Sequence, residues 1–256
     1  EWQDNFFIAA MGSFGSSELS FASDIDLVFV VADIQNYPDI QKDFQRLLKN
    51  FKDSFSGLEI DCRLRPEGKS SQLVWDLVEY KKYFSNRARI WELQAFTKCR
   101  YVFGNIELFN SFFNHYILTV KQKDKTLVKK EISEMRKKLY PGLDTSFNMK
   151  KSSGGLADID FILSFLFLSH FDLLTEGKEN KSSNSFELMR KAPFKDINFD
   201  QLEINYYSLK QIELTNQSLF NSRLAKIPTD ELKLKKLAKE NGFSNFKLFL
   251  DRLNQI

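Results

Sequence analysis

Cysteine and histidine are both scarce in this 256-residue chain, at two residues each. Cys62 and Cys99 lie 37 positions apart with no CxxC spacing, which argues against a disulfide framework or a zinc site and fits a reducing, cytoplasmic setting. With only His115 and His170 available, histidine-rich metal centres and most histidine general-base mechanisms are poor candidates. Both histidines sit in apolar helical surroundings, where packing is the expected role. Any catalytic metal must then be held by carboxylates. Long apolar runs are missing too. The longest, Phe161 to Leu168, is broken by Ser164 and is far short of the roughly 20 residues a membrane span needs. No signal-peptide pattern precedes the first motif, and the chain opens on Glu1, so we expect a piece of a longer protein.

Charge of one sign is not in excess: 37 basic residues face 34 acidic ones, a net +3, which implies no nucleic-acid partner. Lys121 to Lys138 holds eight basic residues against Asp124, Glu131 and Glu134, a pattern expected of a solvated helix face, with a partner or nucleotide surface as the alternative. Apolar residues make up 43% of the chain, enough for a sizeable core. The 26 phenylalanines are spread through both halves, as core choices and not as an aromatic platform.

Asp24 to Val31 reads as a strand, acidic at its start and then β-branched and apolar. Ile40, Phe44, Leu47, Leu48, Phe51 and Phe55 recur at steps of three and four, predicting a helix over 39–55 that stops at Gly57. Glu59 to Arg65 alternates, with Ile60, Cys62 and Leu64 on one face and Asp61, Arg63 and Arg65 on the other, as a half-buried strand does. Arg65-Pro66 ends that strand, Leu73 to Trp75 adds a short one, and 78–100 reads as one long helix with Trp91 in the core. Beyond Gly104 the patterns are helical, through 127–139, 161–174 and 202–224, with two short helices around Gly242 and a polar loop at 178–185. The expected architecture is an α/β (α+β) domain around a small mixed sheet over 1–115, followed by an all-helical bundle over 116–256.

Residues two apart on a strand point to the same face, so Asp24 and Asp26 aim two carboxylates at one place while Ile25 and Leu27 face the core. Such crowding is unfavourable unless cations hold it, and oxygen-only ligands suit magnesium shared with substrate phosphates. Upstream, Gly12 to Ser17 is a small-residue turn whose backbone N–H groups can approach a phosphate. Ser16 and Ser23 add hydroxyls. With Asp24 eight positions after Ser16 and Asp61 on the polar face of a later strand, the order matches the polymerase-beta-like nucleotidyltransferases.

The resemblance extends to a family. The run Gly15-Ser16-Ser17-Glu18-Leu19-Ser20-Phe21-Ala22-Ser23-Asp24-Ile25-Asp26-Leu27 resembles the Gly-Gly-x-Glu-Leu-x-x-x-Ser-Asp-x-Asp-Leu motif of the glutamine synthetase adenylyltransferase and deadenylylase family. Asp61-Cys62-Arg63-Leu64-Arg65-Pro66-Glu67-Gly68 is similar to its Asp-x-Arg-Leu-Arg-Pro-x-Gly segment, Trp91-Glu92-Leu93-Gln94-Ala95 to its Trp-Glu-x-Gln-Ala helix, and Gly154-Gly155-Leu156-Ala157-Asp158-Ile159-Asp160-Phe161 to its Gly-Gly-Ile-x-Asp-Ile-Glu-Phe motif. Ser16, Ser17 and Asp160 depart from the family's usual glycine, basic residue and glutamate.

The resemblance implies a nucleotidyltransferase with ATP as substrate and Mg2+ as cofactor. Asp24, Asp26 and Asp61 would be catalytic and hold the metal, with Asp61 also a proton acceptor. Gly15, Ser16, Ser23, Arg63, Arg65, Asp158 and Asp160 would bind the nucleotide, with a weaker claim for Lys69. Such proteins are commonly two similar halves, one attaching AMP to a tyrosine of glutamine synthetase and one removing it by phosphorolysis, and this chain would be one half. The implied partners are glutamine synthetase and, through the full-length enzyme, a PII-type signalling protein. No nucleic acid or membrane is implied. Attachment is the preferred direction; removal, or a catalytically silent nucleotide-binding domain, is the alternative.

Overall fold

The computed structural model describes residues 3–54, 57–140, 146–172, 185–191, 193–223 and 225–256. They fall into two compact units, one over 1–128 and 167–178 and one over 129–166 and 179–256.

The first unit is built on a mixed sheet of five strands: β1 (Phe6–Ala10), β2 (Ile25–Val31), β3 (Ile60–Asp61), β4 (Val74–Asp76) and β5 (Arg100–Gly104). The order is β3-β2-β1-β5, with β4 pairing farther along β2. β1 runs antiparallel to β2 and β5, whereas β3 and β4 run parallel to β2. Between β1 and β2 lies a single helical turn, α1 (Gly12–Gly15); α2 (Ile40–Ser54), α3 (Leu77–Asn86), α4 (Ile90–Ala95) and α5 (Ile106–Lys121) complete the unit's main elements.

Strand alternation sorts the core into two faces. Phe6, Leu27, Phe29, Val31 and Val74 pack with Ile40 and Phe44 of α2. Phe7 points the other way, onto Phe109 and Phe112 of α5, where Tyr80, Phe84, Phe96 and Tyr116 extend one aromatic cluster with ring centroids 4.9–5.8 Å apart. Burying each such ring is worth about 2–3 kcal/mol, and five of the 26 phenylalanines lie in this cluster.

The sequence patterns predict neither β1 nor β5. Phe6-Phe7-Ile8-Ala9-Ala10 is apolar without alternation because it is a central strand covered on both sides, and periodicity cannot separate such a run from buried helix. The long helix expected over 78–100 is two helices, a 3-10 turn at Phe96–Lys98 and the start of β5. Asp76 caps α3, and Arg87 N–H closes it on Tyr83 O, 2.9 Å. Glu92 restarts α4 by accepting from Arg89 N–H, 2.9 Å. Trp91, expected in the core, is 40% exposed, since the break turns it outward. His115 bridges helices through Ser85 Oγ and Lys81 O and is only half-buried. The strand expected over 59–65 is regular only at Ile60–Asp61.

The second unit is helical. It takes the greater part of α6 (Lys125–Leu139) and α7 (Leu156–Ser169), together with α8 (Ser185–Arg190), α9 (Phe199–Phe220), α10 (Glu231–Glu240) and α11 (Phe246–Gln255). Asn198, Asp230 and Asn245 cap α9, α10 and α11, and Gly242 at φ +81° makes the turn between the last two. Among the described residues past 120, strand-like pairing is confined to one bridge, Asn148 with Lys226. The expected loop at 178–185 lies outside the described residues, apart from Ser185 at the start of α8. No helix of the described residues is long and apolar enough to cross a membrane, and both cysteines are free thiols.

Candidate active site

β2 and β3 pair in parallel with Asp26 opposite Asp61. In that register the two carboxylates leave the same face of the sheet, while Ile25, Ile60 and Cys62 pack toward the α2 side. Asp24, two residues before Asp26, joins that face. The electrostatics register the crowding. The carboxyl of half-buried Asp26 is pushed up from 3.8 to about 6, first by burial, then by the charges of Asp61 and Asp24, with Arg63 opposing. Asp61 goes the other way. Burial acts to raise it, but the side-chain and backbone hydrogen bonds and the charge of Arg63, with Lys69 farther off, together hold it below the usual carboxylate range. Arg63 grips Asp61 through Nε, a terminal nitrogen and its own N–H, the last at 2.8 Å.

The residues that follow Ala10 turn sharply into this face. Met11 N–H donates to Asp26 O, 2.9 Å, and Gly12 sits at φ +52° directly over the Asp26 side chain, where any Cβ would overlap Oδ2. Gly15 is buried against the Lys98 carbonyl, again with no room for a Cβ. At Gly15 the neighbour is backbone and glycine is required, whereas at Gly12 it is a side chain that can move and the positive φ is what favours glycine. Ser16 Oγ is used within the turn, near Gly12 O, Ser13 O and Glu18 Oε2 at 3.1–3.4 Å. Ser23 Oγ staples the next loop through Ser20 N–H and Ser20 Oγ, at 3.0 and 2.8 Å. As placed, these two hydroxyls shape the backbone around the carboxylates.

Arg65 likewise has partners. Its guanidinium donates to the carbonyls of Cys62, Gln72 and Ser71, buckling the 62–72 loop where the resemblance implies a phosphate contact. Glu92 is buried and accepts from Tyr83 Oη, 2.5 Å, besides capping α4. In the helical unit, Asp158 stands in the first turn of α7 and binds Arg136 through Nε and a terminal nitrogen, while Oδ2 accepts from Gly154 N–H, 2.7 Å. Asp160, two residues on, is partly buried.

One residue passed over at the sequence level is Arg100. It sits on β5 opposite Ala10 and donates to Gly15 O and Phe14 O at 3.1 and 2.7 Å, with its guanidinium 5.3 Å from the Phe14 ring centroid. A cation at the C-terminal carbonyls of the α1 turn both satisfies them and reinforces the turn's dipole. A basic residue there stands out only once β5 is recognised beside β1.

The donor set of Asp24, Asp26 and Asp61 is all oxygen, which suits Mg2+, and its mutual repulsion is of the kind a divalent cation relieves. As placed, with Asp61 turned onto Arg63, no three Asp, Glu, His or Cys side chains among the described residues stand close enough to hold a metal. The chemistry of the donors fits the ion.

Residues 1–115 match the family model described as glutamate-ammonia ligase adenylyltransferase, and residues 125–255, just over half of the chain, match the one described as GlnD PII-uridylyltransferase. Curated relatives named bifunctional glutamine synthetase adenylyltransferase/adenylyl-removing enzyme include those of Neisseria meningitidis serogroup A, 35% identical over 175 residues, and Chromobacterium violaceum, 33% over 175 residues, each covering 64% of this chain. The Mannheimia succiniciproducens relative is 32% identical over 188 residues, or 66% of this chain. In all three the matched stretch is 19% of the relative's own length. With both models matched in order and these relatives aligned over most of its length, the chain belongs to the glutamine synthetase adenylyltransferase family.

Proposed function

We propose that this chain is a metal-assisted nucleotidyltransferase that moves AMP from ATP to a tyrosine of glutamine synthetase, as one catalytic half of a longer regulator of nitrogen assimilation. The observation that carries the proposal is the in-register pairing of Asp26 with Asp61, beside Asp24, on one face of the sheet. An acidic cluster of this kind has no role in holding β2 to β3 and destabilises the fold in the absence of a cation.

In this reaction the tyrosine oxygen bonds to the α-phosphorus of ATP, the bond to the β-phosphate oxygen breaks, and pyrophosphate leaves with the electron pair. Asp24, Asp26 and Asp61 would hold Mg2+, which when bound supplies charge neutralisation and acidifies the acceptor hydroxyl. The resemblance also implies Asp61 as proton acceptor. As placed, Arg63 holds it below the usual carboxylate range. Arg63, at the exposed edge of the cluster, would meet phosphate. The Gly12–Ser16 turn, pinned by Arg100, brings backbone close to Asp26 and would seat the phosphates. Asp158 and Asp160 would contribute to nucleotide binding, as the motif they belong to implies.

Phosphorolytic removal of AMP is the second reading. It is favoured by the relatives' names, which carry both activities. The match of residues 125–255 to the PII-uridylyltransferase model supports a PII-type signalling protein as a regulator acting through the full-length enzyme. The test is to incubate the chain with Mg2+, ATP labelled at the α-phosphate and unmodified synthetase, and separately with adenylylated synthetase and inorganic phosphate. Label on a synthetase tyrosine is the expected result. Release of ADP in the second arm alone would reverse the direction, and nucleotide binding without turnover in either arm would reduce the chain to a silent domain.

A further inference from the structure

The loop from Ser17 to Ser23, between the Gly-Ser turn and Asp24, holds two outward apolar side chains: Leu19, 43% exposed, and Phe21, 78% exposed. Isolated exposed apolar residues are ordinary; these two are distinguished by how they are held and where. Ser20 and Ser23 close the loop through hydroxyl and backbone bonds of 2.8–3.0 Å. Glu18 N–H donates to Ser13 O, 2.8 Å, and Ser17 turns the chain in the left-handed region at φ +61°. The loop is thus tied down at both ends by its serines, and its apolar side chains contribute little to its own packing. Phe21 precedes Asp24 by three residues, so its Cα lies within about 11 Å of that carboxylate's Cα.

We infer that Leu19 and Phe21 form a docking contact for the protein acceptor, the surface of glutamine synthetase that surrounds its modified tyrosine. This inference rests on the function proposed above and names a contact of that same site. A tyrosine on a folded partner can reach the Asp24–Asp26 face only if the partner's surface comes against the rim of the site, and this loop is part of that rim. A rigid aromatic on an ordered loop loses little entropy on contact and makes an effective anchor. Stacking against a nucleotide base is the competing use. A second exposed apolar residue, Leu19, two positions away in the same loop, favours an apolar protein surface over a single flat base.

The test compares the full chain with its Phe21→Ser and Leu19→Ser variants, with Leu232→Ser as control, because Leu232 is 76% exposed on α10 in the helical unit. Rates are measured against synthetase concentration at saturating ATP (or, for removal, phosphate) and the reverse, with affinity for a non-hydrolysable ATP analogue measured separately. Phe21→Ser should raise KM for the synthetase about tenfold, equivalent to about 1.4 kcal/mol. Its kcat, its affinity for the analogue and its Tm should stay within experimental spread of the parent, as should every parameter of Leu232→Ser. An unchanged KM for the synthetase would overturn the inference, and so would a loss of analogue affinity with that KM unchanged, which would assign Phe21 to the base. Should the parent chain transfer nothing in either direction, the proposed function fails by itself, and binding to immobilised synthetase then decides the contact. Binding weakened by Phe21→Ser upholds it, and equal or absent binding overturns it.

Discussion

Asp26 is destabilising where it stands, and its contribution depends on pH with a definite sign. Its carboxyl rises from 3.8 to about 6 on folding, so the native state holds the proton more tightly than the unfolded chain. Below about pH 4 both states are protonated and the group is neutral for stability. Between about pH 4 and 6 the unfolded carboxyl ionises first, stability falls, and above that range the penalty is constant. Taken at face value the rise corresponds to about 3 kcal/mol; for a half-exposed side chain, screening leaves about 1–2 kcal/mol. Asp26→Asn should therefore raise the Tm of chelator-treated protein at pH 8, leave it nearly unchanged at pH 4, and lower nucleotidyl transfer by at least about a thousandfold. Differential scanning calorimetry at the two pH values checks the first part, and an equal shift at both would dismiss carboxylate repulsion as the cause. Gly12→Ala acts on the same group from above. Its Cβ displaces a movable carboxylate, so the stability loss should stay near 1 kcal/mol, from the positive φ, while activity falls far more. Arg100→Met should raise KM for ATP more than it lowers kcat, since Arg100 is a positioning residue acting through the Gly12–Gly15 turn.

At the scale of elements, what was legible depended on whether a pattern or a partner carried the information. Asp24 and Asp26 could be placed on one face, and Asp61 on the polar face of its own strand, because strand alternation is a local rule. That the three meet was implied by the resemblance, and the structure supplies the register that sets Asp26 opposite Asp61. β1 was hidden because burial on both faces erases alternation. β5 was hidden because an edge strand of mixed exposure follows directly on helical residues. The partners of Arg65 and of Asp158 are matters of tertiary structure: backbone carbonyls have no sequence signature, and nothing local joins Asp158 to Arg136, 22 residues away. Arg65→Ala removes three carbonyl contacts from the 62–72 loop and should cost about 1–3 kcal/mol, with amide exchange quickening through residues 62–72. A change confined to KM for ATP, with exchange unaltered, would return Arg65 to the phosphates. Asp158→Ala removes the carboxylate from Arg136, which keeps the Lys151 and Ser152 carbonyls, and from Gly154 N–H in a partly buried place and should cost about 2–3 kcal/mol in chemical denaturation. A cost near zero would mean that solvent replaces the carboxylate there.

For the whole molecule, the order of the chain differs from the order of its units. The first unit is made of residues up to Val128 and then of a later stretch beginning at Phe167, within which Phe167 and Leu168 are buried and the Phe171 ring lies 5.0 Å from Lys121 Nζ. A fragment ending at Val128 should consequently bind a hydrophobic dye and self-associate where the full chain does not. A monomeric, cooperatively melting fragment would show that residues 167–172 contribute little. The same arrangement sets a schedule for biosynthesis. About forty residues must leave the ribosome after Val128 before the sheet unit receives its last piece, a wait of about 2–8 seconds at ordinary elongation rates. During that interval the acidic face of β2 and β3 is held by an unfinished unit, so a nascent chain stalled between Val128 and Phe167 should be more open to proteases and chaperones than the finished unit.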